Sequence, residues 1–163
     1  VTFALAQGIT IRVGHSVGRN DQKAVHYATY IGIFYASAFM LLTAILYWVF
    51  PEKLISIDFD LHDAKNAVII HLAKQLLALA ALVQLFEAPR FALFGALRGL
   101  KDTRFTLFTS ILIFWIIALP LGYIAVPYGF AAYGIWWATI LAEIIGIFLL
   151  IWQYRRKVQT YLF

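Results

Sequence analysis

Runs of about twenty apolar residues, each closed by a short charged or turn-rich stretch, decide what this chain can become. Five apolar segments follow one another: 1–17, 28–50, 75–97, 105–126 and 134–152. A helix rises about 1.5 Å per residue, and the hydrocarbon layer of a bilayer is about 30 Å thick. The last four segments are long enough to cross it, and the first reads as the end of such a helix. An upstream piece, DAKNAVIIHLAK, starts the third helix in the interface. Strands would need apolar and polar residues in alternation, and none is visible. In lipid the backbone must satisfy its own hydrogen bonds, which leaves helices. The fold class is an all-α, polytopic transmembrane helix bundle. With 63% hydrophobic and 13% charged residues, the chain is far from a soluble domain, where about 25% are charged.

Loop charges orient the bundle. Arg12, Arg19, Lys23, Arg98, Lys101, Arg104, Arg155, Arg156 and Lys157 all fall on one side of the zigzag. The loop after the second segment balances Lys53, Lys65 and Lys74 against Glu52, Asp58, Asp60 and Asp63, and VPYGFAAY carries no charge. The basic side is expected to be cytoplasmic, with the C-terminus on it. The net charge of +5 is accounted for by these loops, so no nucleic-acid partner is expected. Tyr47, Trp48, Tyr123, Tyr128, Tyr133, Trp136, Trp137, Trp152 and Tyr154 gather near segment ends as interfacial anchors. Small residues at every fourth position, Ala28-Gly32-Ala36, Ala88-Ala92-Ala96 and Ala138-Ala142-Gly146, are ridges along which membrane helices approach closely.

The sequence opens on Val1, its one Met is Met40, and no charged region precedes the first apolar segment. This does not read as a signal peptide. It reads as a chain whose upstream part lies outside the sequence. The absence of Cys excludes disulfides, Cys-ligated metals and Cys nucleophiles within it. No nucleotide-binding G-x-x-x-x-G-K-[ST] loop, G-x-S-x-G or H-E-x-x-H occurs, and no enzyme activity is expected. His15, His26, His62 and His71 read as surface residues, and Gly14, Gly18 and Asn20 as breakers in the first loop.

Two carboxylates lie deep in spans, Glu87 and Glu143. An ionised group at the bilayer centre costs at least about 2.5–3.5 kcal/mol. Such a group is expected to face the bundle interior. Gln84, Glu87, Pro89 and Arg90 crowd within two turns. Glu87 and Arg90 are three apart and share a helix face. The pair has two compatible readings, a self-neutralising ion pair and a titratable or cation-binding site. Glu143, beside the Ala138-Ala142-Gly146 ridge, reads equally as a bond across a helix contact or as a functional carboxylate. Pro89 and Pro120 each remove a helical N–H and push on the carbonyls of Leu85 and Ile116, which predicts helix kinks.

ITIRVGHSVGRND resembles the T-x-R-V-G-Q-x-L-G-A-G motif of multidrug and toxic compound extrusion (MATE) transporters. FALFGALRGLKDTRFTL resembles their G-x-L-R-G-x-G-D-T motif, IALPLGYIA their L-P-L-G-Y, and YGIWWATI the start of their twelfth helix. The resemblance covers nearly the whole chain in order. It implies that residues 1–163 are the C-terminal part of the second lobe of a twelve-helix transporter, from part of helix eight to helix twelve. It further implies antiport of H⁺ or Na⁺ against drugs or other amphipathic compounds in the plasma or inner membrane, with no cofactor beyond the coupling ion. The implied partners are a small-molecule substrate, the bilayer and the missing N-terminal lobe of the same chain. In one branch of the family an Asp sits in a Q-x-x-D-A pattern. Gln84, Glu87 and Ala88 fill it here, so the implied role of Glu87 is to bind the coupling cation, as a metal ligand if that is sodium. Arg90 stands where a Gln is usual, Val83 where some sodium-coupled members have Tyr, and His15 where the first motif has Gln. A fixed charge at Arg90 favours a proton over sodium and leaves room for an anionic or zwitterionic substrate. Two other readings stay open. One is a lipid-linked oligosaccharide flippase, expected to line a larger cavity with several basic residues. The other is a non-transporting membrane scaffold, which would turn Glu87 and Arg90 toward lipid or a partner.

Overall fold

The computed structural model describes residues 1–57 and 66–161, and no strand occurs among them. Helix α1 (Thr2–Gly18) turns sharply into α2 (Gln22–Val49). Pro51 opens a short helix, α3 (Pro51–Ile55), where a missing N–H does no harm. The long α4 (Ala67–Gly99) follows. Next, α5 (Thr103–Ile111) passes through a π-helical stretch, Leu112–Ala118, into α6 (Leu119–Ala125). A second π-helical stretch, Val126–Phe130, leads to α7 (Ala131–Tyr161). Among the described residues, four helical runs are long and apolar enough to cross a membrane: Gln22–Val49, Ala67–Gly99, Thr103–Tyr128 and Ala132–Thr160. They overlap the four long apolar segments read from the sequence, each beginning before its expected start.

Several boundaries differ from expectation. VPYGFAAY is taken up by the second π stretch and the first turn of α7. The cluster Arg155, Arg156 and Lys157 lies on α7, which continues past residue 152. Gly14 and Gly18 lie inside α1, because the reversal is made by Asn20 instead. The loop residues Asp58, Asp60, His62, Asp63 and Lys65 fall outside the described residues.

The two basic-end corners are built alike. Asn20 (φ 55°) and Lys101 (φ 59°) adopt the left-handed conformation. The following N–H of Asp21 reaches back to the Ser16 carbonyl at 3.0 Å, and that of Asp102 to the Leu97 carbonyl at 2.9 Å. These are the bonds by which a helix closes its last carbonyls. The same aspartates then start the next helix, Asp21 Oδ1 accepting from the Ala24 N–H at 3.0 Å and Asp102 Oδ1 from the Phe105 N–H at 3.3 Å. An Asp at this position satisfies a first-turn donor that would otherwise lack a partner.

Helix α4 is the centre, packed against α1, α2 and α7. Its Gly95 lies against the Ala6 backbone and its Gly99 against Val13, so α1 and α4 run parallel. The Thr10 hydroxyl, which also bonds the Ala6 carbonyl, approaches the Gly95 carbonyl at 2.9 Å. On the other side Gly32 of α2 receives Ile9. All three residues of the Ala88-Ala92-Ala96 ridge are buried, as are Ala138, Ala142 and Gly146 of α7. The α4 and α7 ridges are thus buried in the bundle, whereas Ala28 of the α2 ridge is half-buried beside an open cleft. At the far end Trp48 Nε1 donates to the Ala78 carbonyl at 3.2 Å, and Tyr133 bonds Gln75. There Lys74 also pairs with Glu52 at 2.7 Å. Its hydrogen bond, then its charge, hold that exposed carboxyl below the usual carboxylate range.

Candidate functional site

Glu87 stands on α4 about 6 Å past the helix midpoint, four residues on from Val83 at about 1.5 Å each. Its side chain is 34% exposed, whereas that of Arg90, one turn on, is 3% exposed. The predicted shared face is present, but the predicted pairing is only a loose contact. Arg90 Nη2 lies 3.9 Å from Glu87 Oε1, beyond hydrogen-bond distance. Its close partner is on α7: Arg90 Nε donates to Glu143 Oε2 at 2.5 Å, and Glu143 is almost fully buried. Of the two readings open for Glu143, the structure supplies the bond across a helix contact. Proximity to small residues makes it possible, since the Arg90 side chain lies close to Gly146, where a Cβ would meet its Cδ at 3.6 Å.

Arg90 is further enclosed by aromatic rings. Its guanidinium carbon lies 4.7 Å from the centre of the Phe91 ring, 5.0 Å from that of Phe94 and 5.2 Å from that of Phe114. Ring faces attract a cation, more so where water is excluded. Such a setting, with a charged hydrogen bond to Glu143, offsets much of the cost of burying the charge. Arg90 therefore does not face lipid.

The other predicted residues are placed as follows. Gln84 turns to α2, where the Thr43 hydroxyl contacts its Oε1 at 2.9 Å. Helix α4 runs unbroken through Pro89 from Ala67 to Gly99. Pro120 stands in the first turn of α6, directly after the π-helical Leu112–Ala118. A π turn shifts carbonyls to partners five residues on, in the stretch that leads into the ring. The same stretch carries Phe114 to Arg90. No sequence signal pointed to Phe114, because constant helical spacing does not anticipate a π turn. The Gly95-x-x-x-Gly99 contact was also missed as a packing motif, although that spacing is legible. His26, read as a surface residue, is half-buried and bonds Tyr154 through Nδ1 at 3.2 Å. Asp102 forms a further unpredicted cluster: Gln153 Nε2 donates to its Oδ2 at 2.5 Å and Lys157 stands at 3.6 Å. A cleft of about 830 Å³ opens between α1 and α2, lined by Gly8, Arg12, His15, Tyr27 and Tyr35 among others. It does not include Glu87.

The MatE family model matches residues 1–124. The chain belongs to the MATE family. MATE relatives include the multidrug resistance protein NorM of Burkholderia vietnamiensis, 30% identical over 161 residues, which cover 98% of this chain and 35% of that protein. A probable multidrug resistance protein NorM of Bacillus cereus is 39% identical over 162 residues, covering 97% of this chain and 35% of the relative. The chain thus spans about a third of the length of these relatives. The crystal structure of the eukaryotic MATE transporter AtDTX14 superposes with a TM-score of 0.76 at 15% identity, over 99% of this chain and 36% of that one. Its likeness establishes the fold, a partial helical bundle; the family and the apolar helices indicate a multi-pass membrane protein.

Proposed function

We propose that this chain is part of a secondary transporter that exports amphipathic organic compounds in exchange for a cation, with Glu87 as the coupling carboxylate. One observation carries the reading. Glu87 is an acid within a membrane span, partly open, whose nearest cation is committed elsewhere: Arg90 is 3.9 Å away and bound to Glu143 at 2.5 Å. A carboxylate so placed can take up an external cation and release it, which is what coupling needs. The names of the NorM relatives support a drug-like substrate. The coupling ion is H⁺ or Na⁺, and no other cofactor is required. The remaining lobe and the bilayer complete the machine, and the basic corners and C-terminus lie in the cytoplasm of a cell whose plasma or inner membrane holds it.

The test uses the full-length protein in everted membrane vesicles, with ethidium as the probe. Glu87→Gln is expected to abolish export driven by an imposed H⁺ or Na⁺ gradient while membrane insertion stays at the wild-type level. Gradient-driven ethidium export at the wild-type rate in that variant would refute the assignment.

A further inference from the structure

Arg90 is a fixed cation within reach of two carboxylates, and only one of them holds it. Its Nε edge is bound to Glu143, its plane is flanked by Phe91, Phe94 and Phe114, and its Nη2 end stops 3.9 Å short of Glu87. We propose that Glu143 is a positioning residue that keeps the charge of Arg90 off Glu87, so that Glu87 stays available to the coupling cation. This rests on the reading of Glu87 given above.

The argument is one of competition. An arginine three residues along the same helix face is a tethered cation, with an effective concentration no dissolved ion matches. Left free, it would close onto Glu87 and occupy the site from within. Glu143 prevents this by giving Arg90 a closer partner on a different helix, where both groups are buried and a charged hydrogen bond is at its strongest. The two acids differ in exposure within this stretch: the Glu143 side chain is 2% exposed and that of Glu87 34%. A buried carboxylate serves as the fixed counter-charge, and the half-open one serves the ion.

Among the described residues, the other charges on the surrounding elements stand at the two ends of the bundle. Helix α1 contributes Arg12 and His15, α2 Lys23 and His26, α4 itself Arg98, α5 Arg104, and the far part of α7 Arg155, Arg156 and Lys157. All belong to the basic end, where Val13 lies against Gly99. Glu87 stands twelve residues up α4 from that glycine, about 18 Å away. Glu52, Lys53 and Lys74 lie at the opposite end. Beside Gln84, α2 presents the uncharged Thr43.

The test is cation binding by the purified full-length protein, read as the shift in melting temperature on titration with Na⁺ at fixed pH and with protons at fixed Na⁺. Glu143→Gln is expected to raise the half-saturating concentration of the coupling cation at least about tenfold, the scale on which an adjacent Arg alters a carboxylate. The double variant Arg90→Gln with Glu143→Gln removes captor and anchor together and is expected to return it to within about twofold of wild type, as coupled charges do in a double-mutant cycle. A purely structural pair would not give that rescue. Glu143→Asp, one methylene shorter, should loosen the hold and give a rise of about threefold. It serves as the readout if Glu143→Gln does not reach the membrane. Unchanged half-saturation in both single variants, or a double variant as impaired as Glu143→Gln, overturns the proposal. Glu87→Gln titrated alongside separates the two readings: if it binds the cation as wild type does, the coupling role of Glu87 itself fails.

Discussion

A membrane interior makes single residues unusually telling, because a charge there is retained only with a partner or a task. Arg90 has its partner in Glu143 and its aromatic surroundings, and the task proposed above falls to Glu87. A quieter residue is Lys101, held at φ 59°. A side chain in the left-handed region costs about 1–2 kcal/mol, and glycine is free of that cost. The related motif G-x-L-R-G-x-G-D-T places a glycine at this position, and T-x-R-V-G-Q-x-L-G-A-G places one at Asn20. Asn tolerates this conformation better than Lys does. Lys101→Gly is therefore expected to stabilise the full-length protein by about 1 kcal/mol, read as a higher melting temperature in detergent. Unchanged or lower melting would mean that the corner is not strained. What was legible at this scale was the pair of acids within spans and Asn20 as a breaker. The partner of Glu143 was not, because it lies 53 residues away in the chain, and helical spacing relates only near neighbours.

At the scale of helices, close approach is set by glycines whose Cβ would have nowhere to go. A Cβ on Gly95 would lie 2.3 Å from the Ala6 carbonyl oxygen, and one on Gly99 would lie 2.8 Å from that of Thr10. Backbone cannot step aside as a flexible side chain can, so Gly95→Ala must push α1 away from α4. A loss of about 1–3 kcal/mol is expected from such overpacking. Gly14 belongs to the same helix pair, but its Cβ would meet only ordinary contact, the Gly99 carbonyl oxygen at 3.8 Å. Gly14→Ala is expected to be neutral or to stabilise by a few tenths of a kcal/mol through helix propensity. Melting of the two variants side by side checks this, and equal effects would rule out the close crossing as their cause. The number of spans and the ridges were legible because lipid imposes length and small residues impose contact. The π turns were not. They depart from the constant step of about 100° per residue on which any reading of helix faces depends.

For the molecule as a whole, the basic ends of α1, α4 and α7 stand together, and α2 and the α5–α6 span run the other way. The Asp102 cluster ties the α4–α5 corner to α7 through Gln153 and Lys157. The basic end is thereby joined across two spans, while the described contacts at the opposite end include those of Trp48 and Tyr133 and the exposed Lys74–Glu52 pair. Exposed pairs contribute about 0–1 kcal/mol. The stretch contains no native Cys, so single cysteines can report sidedness. With any Cys elsewhere in the full-length protein removed, Thr160→Cys is expected to react with a membrane-impermeant maleimide from the cytoplasmic side, and Ser56→Cys from the opposite side. The reverse pattern would invert the topology read from the loop charges.

The π-helical stretch Leu112–Ala118 has a consequence for how this span behaves as a mechanical part. A turn with a surplus residue acts like a slipped tooth in a gear, leaving the rows of side chains before and after it out of phase. The half nearest the basic corner turns Thr106 and Thr109 inward, and the stretch itself turns Ile113 and Ala118 inward. One continuous helix can in this way mesh with α4 and α7 on two differently aimed faces. Were the slip to migrate by a turn, Phe114 would swing off Arg90 without any hydrogen bond of α4 or α7 being broken.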